Sequence, residues 1–142
     1  MAKFKISTAS YLIFKKEDKY LLLRRFNTGW QDGMYSLVAG HVEEGETPTQ
    51  CVIREAQEEA GVVVKGEDLF CTTVMHRQAD ADTYVDFFFI CSGWDGEIEN
   101  KEAHKCDDLS WFGRDEIPEN TLPYIKEAIQ SVADEKHYLE VL

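Results

Sequence analysis

Acidic residues are concentrated in the middle of the chain, and three of them follow a helical spacing. Glu55, Glu58 and Glu59 stand at positions i, i+3 and i+4, so in a helix they project from one side as an acidic ridge. Like charges at this spacing repel each other, and Arg54 is the only basic residue between positions 47 and 64. Carboxylate and carbonyl oxygens are the ligands that Mg²⁺ prefers. A solvated helix face is the alternative, and the shortage of basic partners favours a metal site.

The segment that carries the acidic ridge is predicted to be a helix. Thr47 can cap its N-terminus, with Pro48 at the first helical position and Gln50 completing a capping box. Neither glycine nor proline interrupts positions 49–60, and Gly61 can adopt the left-handed conformation that ends a helix. The ridge is therefore expected on a well-defined helix that follows a loop.

This region is similar to the Nudix box, the signature of the MutT-like hydrolases. The signature reads Gly, five residues, Glu, seven residues, and then Arg-Glu-aliphatic-any-Glu-Glu-any-Gly-aliphatic. The chain matches every spacing, with Ala56 as a small residue at the first aliphatic position; the matching residues are Gly40, Glu46, Arg54, Glu55, Glu58, Glu59, Gly61 and Val62. Two departures lie beside the substrate in that family and are expected to affect selectivity: Val38-Ala39 replaces the common Pro-Gly, and His41 replaces a common glycine.

The resemblance implies a fold class and a metal site. The fold would be α/β, a Nudix-type α/β/α sandwich with a mixed β-sheet, with residues 1–142 forming a single domain. The cofactor would be Mg²⁺, with Mn²⁺ as an alternative. The implied metal ligands are the three glutamates of the acidic ridge, the carbonyl of Gly40 and one further acid, for which Glu102 is the first choice and Glu99 the second.

The resemblance also implies roles in catalysis and substrate binding. Glu58 is the preferred general base, although in this family that role moves between box glutamates and loop acids, and Arg54 would pair with Glu46 to hold the ridge. Three residues are expected to meet the substrate. Arg25 ends a strand, where the family often has an arginine that reaches the substrate phosphate, although it could instead point into solvent, and His41 follows Gly40. Asp86 is inferred from its own pattern: it interrupts an apolar strand and could face the substrate groove or lie at the rim of that groove.

Elements outside the box are predicted from apolar patterns and turn signals. Strands are expected at positions 4–14, 20–25, 69–76, 84–91 and 109–112, and a second, amphipathic helix at 122–133. A buried acid in the strand around Asp86 would need a partner. The residues from His137 onward are expected to form a surface tail.

Composition limits the classes of partner. The formal net charge of −12 disfavours a nucleic acid polymer, although a metal-bound site can still attract a small phosphorylated substrate. No apolar run approaches membrane-spanning length, and the four cysteines are widely spaced. The expectation is a cytoplasmic protein with reduced thiols and no membrane partner, for which a homodimer is compatible with the resemblance.

Two classes of function follow. The first is an Mg²⁺-dependent pyrophosphohydrolase that cleaves a nucleoside diphosphate linked to another group, with conversion of a nucleoside triphosphate to monophosphate and pyrophosphate preferred. A nucleotide-sugar or dinucleotide hydrolase is the variant within that class. The second class is a non-hydrolytic isomerase or ligand sensor with the same fold, which the intact set of box glutamates disfavours.

Overall fold

The computed structural model describes residues 2–142, which form eight strands, two α-helices and two short 3₁₀ turns. The strands are β1 (Ser7–Lys16), β2 (Lys19–Arg25), β3 (Tyr35–Ser36), β4 (Val38–His41), β5 (Leu69–Ala79), β6 (Asp82–Cys91), β7 (Cys106–Gly113) and β8 (Tyr138–Val141). The helices are α1 (Pro48–Ala60) and α2 (Pro123–Asp134), and the 3₁₀ turns are Gly66–Asp68 and Arg114–Glu116. Neither helix of residues 2–142 is both long and apolar enough to cross a membrane.

The strands form one mixed sheet in two parts. The larger part has the order β4-β1-β6-β5-β8, in which β1 runs parallel to β6 and β5 parallel to β8. The smaller part, β3-β2-β7, is antiparallel and is joined to the larger part through the β1–β2 hairpin. Strand β4 contributes the edge of the larger part that lies next to α1.

Two apolar cores lie on opposite faces of the sheet. Alternate side chains of a strand point to opposite faces, and in β1 Tyr11 and Ile13 pack with α2, whereas Leu12 and Phe14 pack with α1. The arrangement is therefore helix, sheet, helix, and the predicted α/β/α sandwich with a mixed sheet is confirmed.

The helix that carries the acidic ridge has the predicted ends. The side chain of Thr47 accepts a hydrogen bond from the backbone N–H of Gln50, whose own side chain accepts from the N–H of Thr47. Gly61 ends the helix with φ of 70° and donates its N–H to carbonyls of the last turn. The backbone of α1 is thus fixed at both ends, which sets the direction of its side chains.

The structure corrects two predicted segments at the ends of the chain. The first strand begins at Ser7 rather than Phe4, because its pairing with β6 starts at Ser7 and Phe4 is 81% exposed. The predicted surface tail is wrong for positions 138–141, which form β8 beside β5. Leu139 and Val141 of β8 pack against the core under α2. Their spacing of two residues is the alternation of a strand, and the prediction of a tail did not use it.

Candidate active site

A groove of about 760 Å³ runs from the acidic ridge across the sheet face that α2 partly covers. That volume is in the range of small-molecule binding sites. Seven of the predicted site residues line it: Arg25, Gly40, His41, Glu55, Glu58, Glu59 and Glu102. Arg54 and Glu46 lie behind the ridge rather than in the groove wall, and Asp86 lies beneath the groove floor.

Close packing between α1 and β4 positions the ridge. A Cβ atom at Gly40 would collide with the carboxylate of Glu55, so only glycine allows this approach. Glu59 Oε1 accepts a hydrogen bond of 3.0 Å from the backbone N–H of Ala39. Both contacts hold carboxylates of α1 against the edge strand, at the mouth of the groove.

Burial changes the acidity of two ridge carboxylates. Desolvation is the main cause that raises the pKa of Glu59 well above its ordinary value, and it also raises the pKa of Glu55. The hydrogen bond and charge of Glu55 contribute to the raised pKa of Glu59, so the pair favours a shared proton or a cation between the two carboxyl groups. Half of the Glu58 side chain is exposed to solvent.

Arg54 and Glu46 form a brace behind the ridge. Arg54 donates from Nε and Nη2 to the two carboxylate oxygens of Glu46, at 2.7 and 3.0 Å, and from Nη2 to the carbonyl of His41 at 3.2 Å. The hydrogen bond from Arg54 lowers the pKa of Glu46 to about 2. The guanidinium also contacts Glu55 at 2.5 Å and Glu58 at 3.4 Å. Arg54 therefore links the ridge to Glu46 in the loop before α1.

The donor set suits a hard divalent cation, since it consists of carboxylate oxygens beside a backbone carbonyl. Within residues 2–142, however, no three His, Cys, Asp or Glu side chains converge as a ready-made metal site. The guanidinium of Arg54 instead contacts the carboxylates of Glu55 and Glu58. Metal binding by the ridge therefore stays a prediction, supported by the partly buried carboxylates of Glu55 and Glu59.

Of the two loop acids considered as a further metal ligand, the structure places Glu102 in the groove. Its charge contributes to the raised pKa of Glu59, so the two carboxyl groups are close enough to interact. Glu99 instead pairs with Lys101 at 2.8 Å and does not line the groove. The geometry favours Glu102 over Glu99.

Arg25 and His41 lie in the groove wall as expected. Arg25 donates to the carbonyl of Trp30 at 2.8 Å and to the hydroxyl of Thr28 at 3.0 Å, so its guanidinium is tied to the loop after β2. The ring of His41 stacks on Tyr84, with centroids 5.9 Å apart. Both residues can meet a ligand without rearrangement of the sheet.

Asp86 does not open on the groove, and this corrects its predicted contact with the substrate. Its side chain is fully buried and accepts a hydrogen bond of 2.7 Å from Nε of Arg77, the partner that a buried acid requires. Arg77 lines the groove instead and was missed. The signal was available, since Arg77 is the one arginine in the strand that forms a hairpin with the strand of Asp86.

Comparisons with known proteins agree with this architecture. The model of the NUDIX domain family matches residues 4–132. An NAD-capped RNA hydrolase NudC of Photobacterium profundum is 31% identical over 114 residues, which cover 80% of this chain and 40% of that protein. An 8-oxo-dGTP diphosphatase of Proteus vulgaris is 30% identical over 103 residues, which cover 72% of this chain and 90% of that protein.

Solved structures show the same fold. The MutT Nudix hydrolase from Burkholderia pseudomallei superposes with a TM-score of 0.83 at 21% identity, covering 91% of this chain and 99% of that one. A Nudix hydrolase from Nitrosomonas europaea gives 0.80 at 25% identity, covering 94% and 93%. The chain spans 31% to 42% of the length of the first four NudC relatives. With the family model matched over most of its length, this chain belongs to the Nudix hydrolase family.

Proposed function

We propose that this chain is a divalent-metal-dependent pyrophosphohydrolase that acts on a nucleotide, with a nucleoside triphosphate cleaved to monophosphate and pyrophosphate as the preferred reaction. One observation carries the proposal: a single groove joins a ridge of three glutamates at one end to arginine and aromatic side chains at the other. Carboxylates suit metal-bound phosphates, and aromatic rings suit a base. The proposal treats residues 1–142 as one Nudix domain.

In this proposal the ridge holds Mg²⁺, or Mn²⁺ in its place. Glu55, Glu58, Glu59 and the carbonyl of Gly40 would be the ligands, and Glu102 would join them when substrate is bound. The cation would neutralise phosphate oxygens and make a bound water more acidic. The interaction between Glu55 and Glu59 supports this assignment, because Glu55 contributes to the raised pKa of Glu59 and a cation between the two carboxylates would relieve their repulsion.

The remaining roles belong to side chains of the chain itself. Glu58 accepts the proton of the attacking water, because its half-exposed carboxylate has only a 3.4 Å contact to Arg54 to lose. Arg54 and Glu46 keep the ridge carboxylates in place through their paired hydrogen bonds. Arg25 contacts a substrate phosphate, and its bonds to Trp30 and Thr28 limit the freedom that it would lose on binding.

Two observations bear on the substrate. The Proteus relative named as an 8-oxo-dGTP diphosphatase matches over 90% of its length, which supports a nucleoside triphosphate. The relatives named NAD-capped RNA hydrolase support a second candidate, a dinucleotide such as NAD. A long RNA is disfavoured by the net charge of −12, because the protein would repel a polyanion.

A substrate panel with product identification tests the proposal. The purified chain is incubated with Mg²⁺ or Mn²⁺ and with nucleoside triphosphates, NAD, NAD-capped RNA and a nucleotide sugar. Monophosphate and pyrophosphate from a triphosphate would support the preferred reaction, and cleavage of NAD into two mononucleotides would support the second. No hydrolysis of any member, with either metal, would contradict the hydrolase and favour an isomerase or a ligand sensor.

A further inference from the structure

The end of the groove farthest from the ridge holds a buried arginine between two aromatic rings. The guanidinium carbon of Arg77 lies 4.0 Å from the ring centre of Tyr124 and 4.4 Å from that of Tyr84. Arg77 is 6% exposed, and its Nε donates to Asp86 at 2.7 Å. Stacking on both sides and the buried carboxylate fix the plane and the rotation of the guanidinium.

One nitrogen of this guanidinium, Nη1, has no hydrogen-bond partner within residues 2–142. Nη2 is 3.4 Å from both the Tyr11 hydroxyl and the second oxygen of Asp86. No side-chain or backbone acceptor among residues 2–142 bonds Nη1. Nη1 is not one of the fully buried side-chain atoms that lack a partner among these residues, so it retains access to the groove that Arg77 lines and can bond water or a ligand there.

The charges around Arg77 disfavour a phosphate at this position. Asp86 neutralises the guanidinium at short range, and the exposed carboxylates of Asp80 and Asp82 line the same end of the groove. A doubly charged phosphate would meet net negative charge here. A neutral acceptor, such as a carbonyl oxygen, would gain the hydrogen bond without that repulsion.

The strand order places Arg77 at the opposite end of the groove from the ridge, where the phosphates of a nucleotide would bind. The ridge packs against β4, and Arg77 lies on β5, three strands away in the order β4-β1-β6-β5. Three strand spacings amount to roughly 14 Å, which is about the reach of an extended nucleotide. His41 on β4 and Tyr84 on β6 stack on each other between the ridge and Arg77, and their rings offer an aromatic surface.

We propose that this end of the groove binds the nucleobase and that Arg77 donates a hydrogen bond from Nη1 to a carbonyl oxygen on the base edge. The site would therefore favour a 6-oxopurine over a 6-aminopurine, because an amino group presents a donor to a donor. This inference rests on the proposed nucleotide hydrolase and adds to it the identity of the group that selects the base.

Inosine and adenosine triphosphates test the proposal, because they differ only at position 6, an oxo or an amino group, and at the neighbouring N1, which is protonated in inosine. The kcat/KM of both is measured with Mg²⁺ for the wild type, Arg77→Lys, and the double variant Arg77→Gln with Asp86→Asn, which leaves no unpaired buried charge. Arg24→Gln is the matched control, since Arg24 also pairs with an aspartate at 2.7 Å and lies near a tyrosine ring but is outside the groove. Thermal unfolding verifies that each variant is folded.

The wild type is expected to prefer the inosine nucleotide about tenfold. That ratio should fall to near one in both Arg77 variants, mainly through KM for the inosine nucleotide, and should be unchanged in the control. No preference in the wild type, or a preference that persists in folded Arg77 variants, would overturn the proposal.

Binding of the two monophosphates by calorimetry separates this proposal from that of hydrolysis. If neither triphosphate is hydrolysed, tighter binding of inosine monophosphate that is lost in Arg77→Lys would support the base site while refuting the hydrolase. Equal or absent binding of both monophosphates, in the wild type, would refute the base site.

Discussion

Replacing Glu58 with glutamine should separate chemistry from folding at the ridge. The variant removes the carboxylate assigned as general base and keeps the size of the side chain. General base catalysis contributes about 10²- to 10⁴-fold to turnover, so we expect kcat to fall by that factor at saturating Mg²⁺. This fall corresponds to about 2.7 to 5.5 kcal/mol in activation free energy.

The contacts of Glu58 limit the effect of the same change on stability. Half of its side chain is exposed, and within residues 2–142 its one ion pair is the 3.4 Å contact to Arg54, four residues earlier. Exposed pairs at this spacing contribute about 0.3 to 0.5 kcal/mol, so the melting temperature should change by no more than about 2 °C. The expected increase in activation free energy is several times larger than the expected loss of stability, so partial unfolding cannot account for the fall in kcat.

The assay is steady-state turnover of the best panel substrate, together with thermal unfolding of the same samples. Glu44→Gln is the matched control, because Glu44 is exposed on the loop before α1 and lies outside the groove. The control should keep wild-type kcat. A Glu58→Gln variant with kcat within about threefold of the wild type would refute the assignment of the general base.

Three further changes probe the ridge. Gly40→Ala should lower kcat with the fold retained, because the added Cβ displaces Glu55, whereas Gly66→Ala, with nothing within 4 Å of its added Cβ, should be neutral; equal activity of the two variants would contradict this packing. In metal-free protein, burial raises the pKa of Glu59 above its ordinary 4.5, so the folded state keeps a proton that the unfolded chain releases, and stability should fall as pH rises above about 4.5. With a chelator present, Glu59→Gln should reduce the fall in melting temperature as pH rises. An unchanged dependence of melting temperature on pH would contradict Glu59 as its cause. Glu102→Gln should raise the Mg²⁺ concentration for half-maximal turnover, and an unchanged requirement would exclude Glu102 from the metal site.

The helix and its ridge were predictable because local signals determine them. The cap at Thr47, the capping box with Gln50 and the glycine at position 61 fix the ends of α1 without long-range information. A spacing of i, i+3 and i+4 then places three glutamates on one side wherever the helix packs. The strands before and after α1 follow in the same way from apolar runs bounded by turns.

The far end of the groove was not predictable in the same way, because it depends on pairing between strands. Asp86 was expected at the substrate, but register places it beneath Arg77, on the neighbouring strand of the hairpin. Strand β8 was missed for a related reason, since its partner β5 is about sixty residues away in the chain and the pairing uses backbone groups. The long-range pairing of β5 with β8 has no local sequence signal and required the structure, whereas the lone arginine in the strand before Asp86 was a signal for the hairpin contact that the prediction did not use.

Product identification from a nucleoside triphosphate in the presence of Mg²⁺ tests the central claim most directly. The proposed roles of the ridge predict nucleoside monophosphate and pyrophosphate in equal amounts, with release abolished by a chelator and restored by added Mg²⁺. Glu58→Gln should suppress the same products. Release of orthophosphate instead of pyrophosphate, or turnover that a chelator leaves unchanged, would contradict the account.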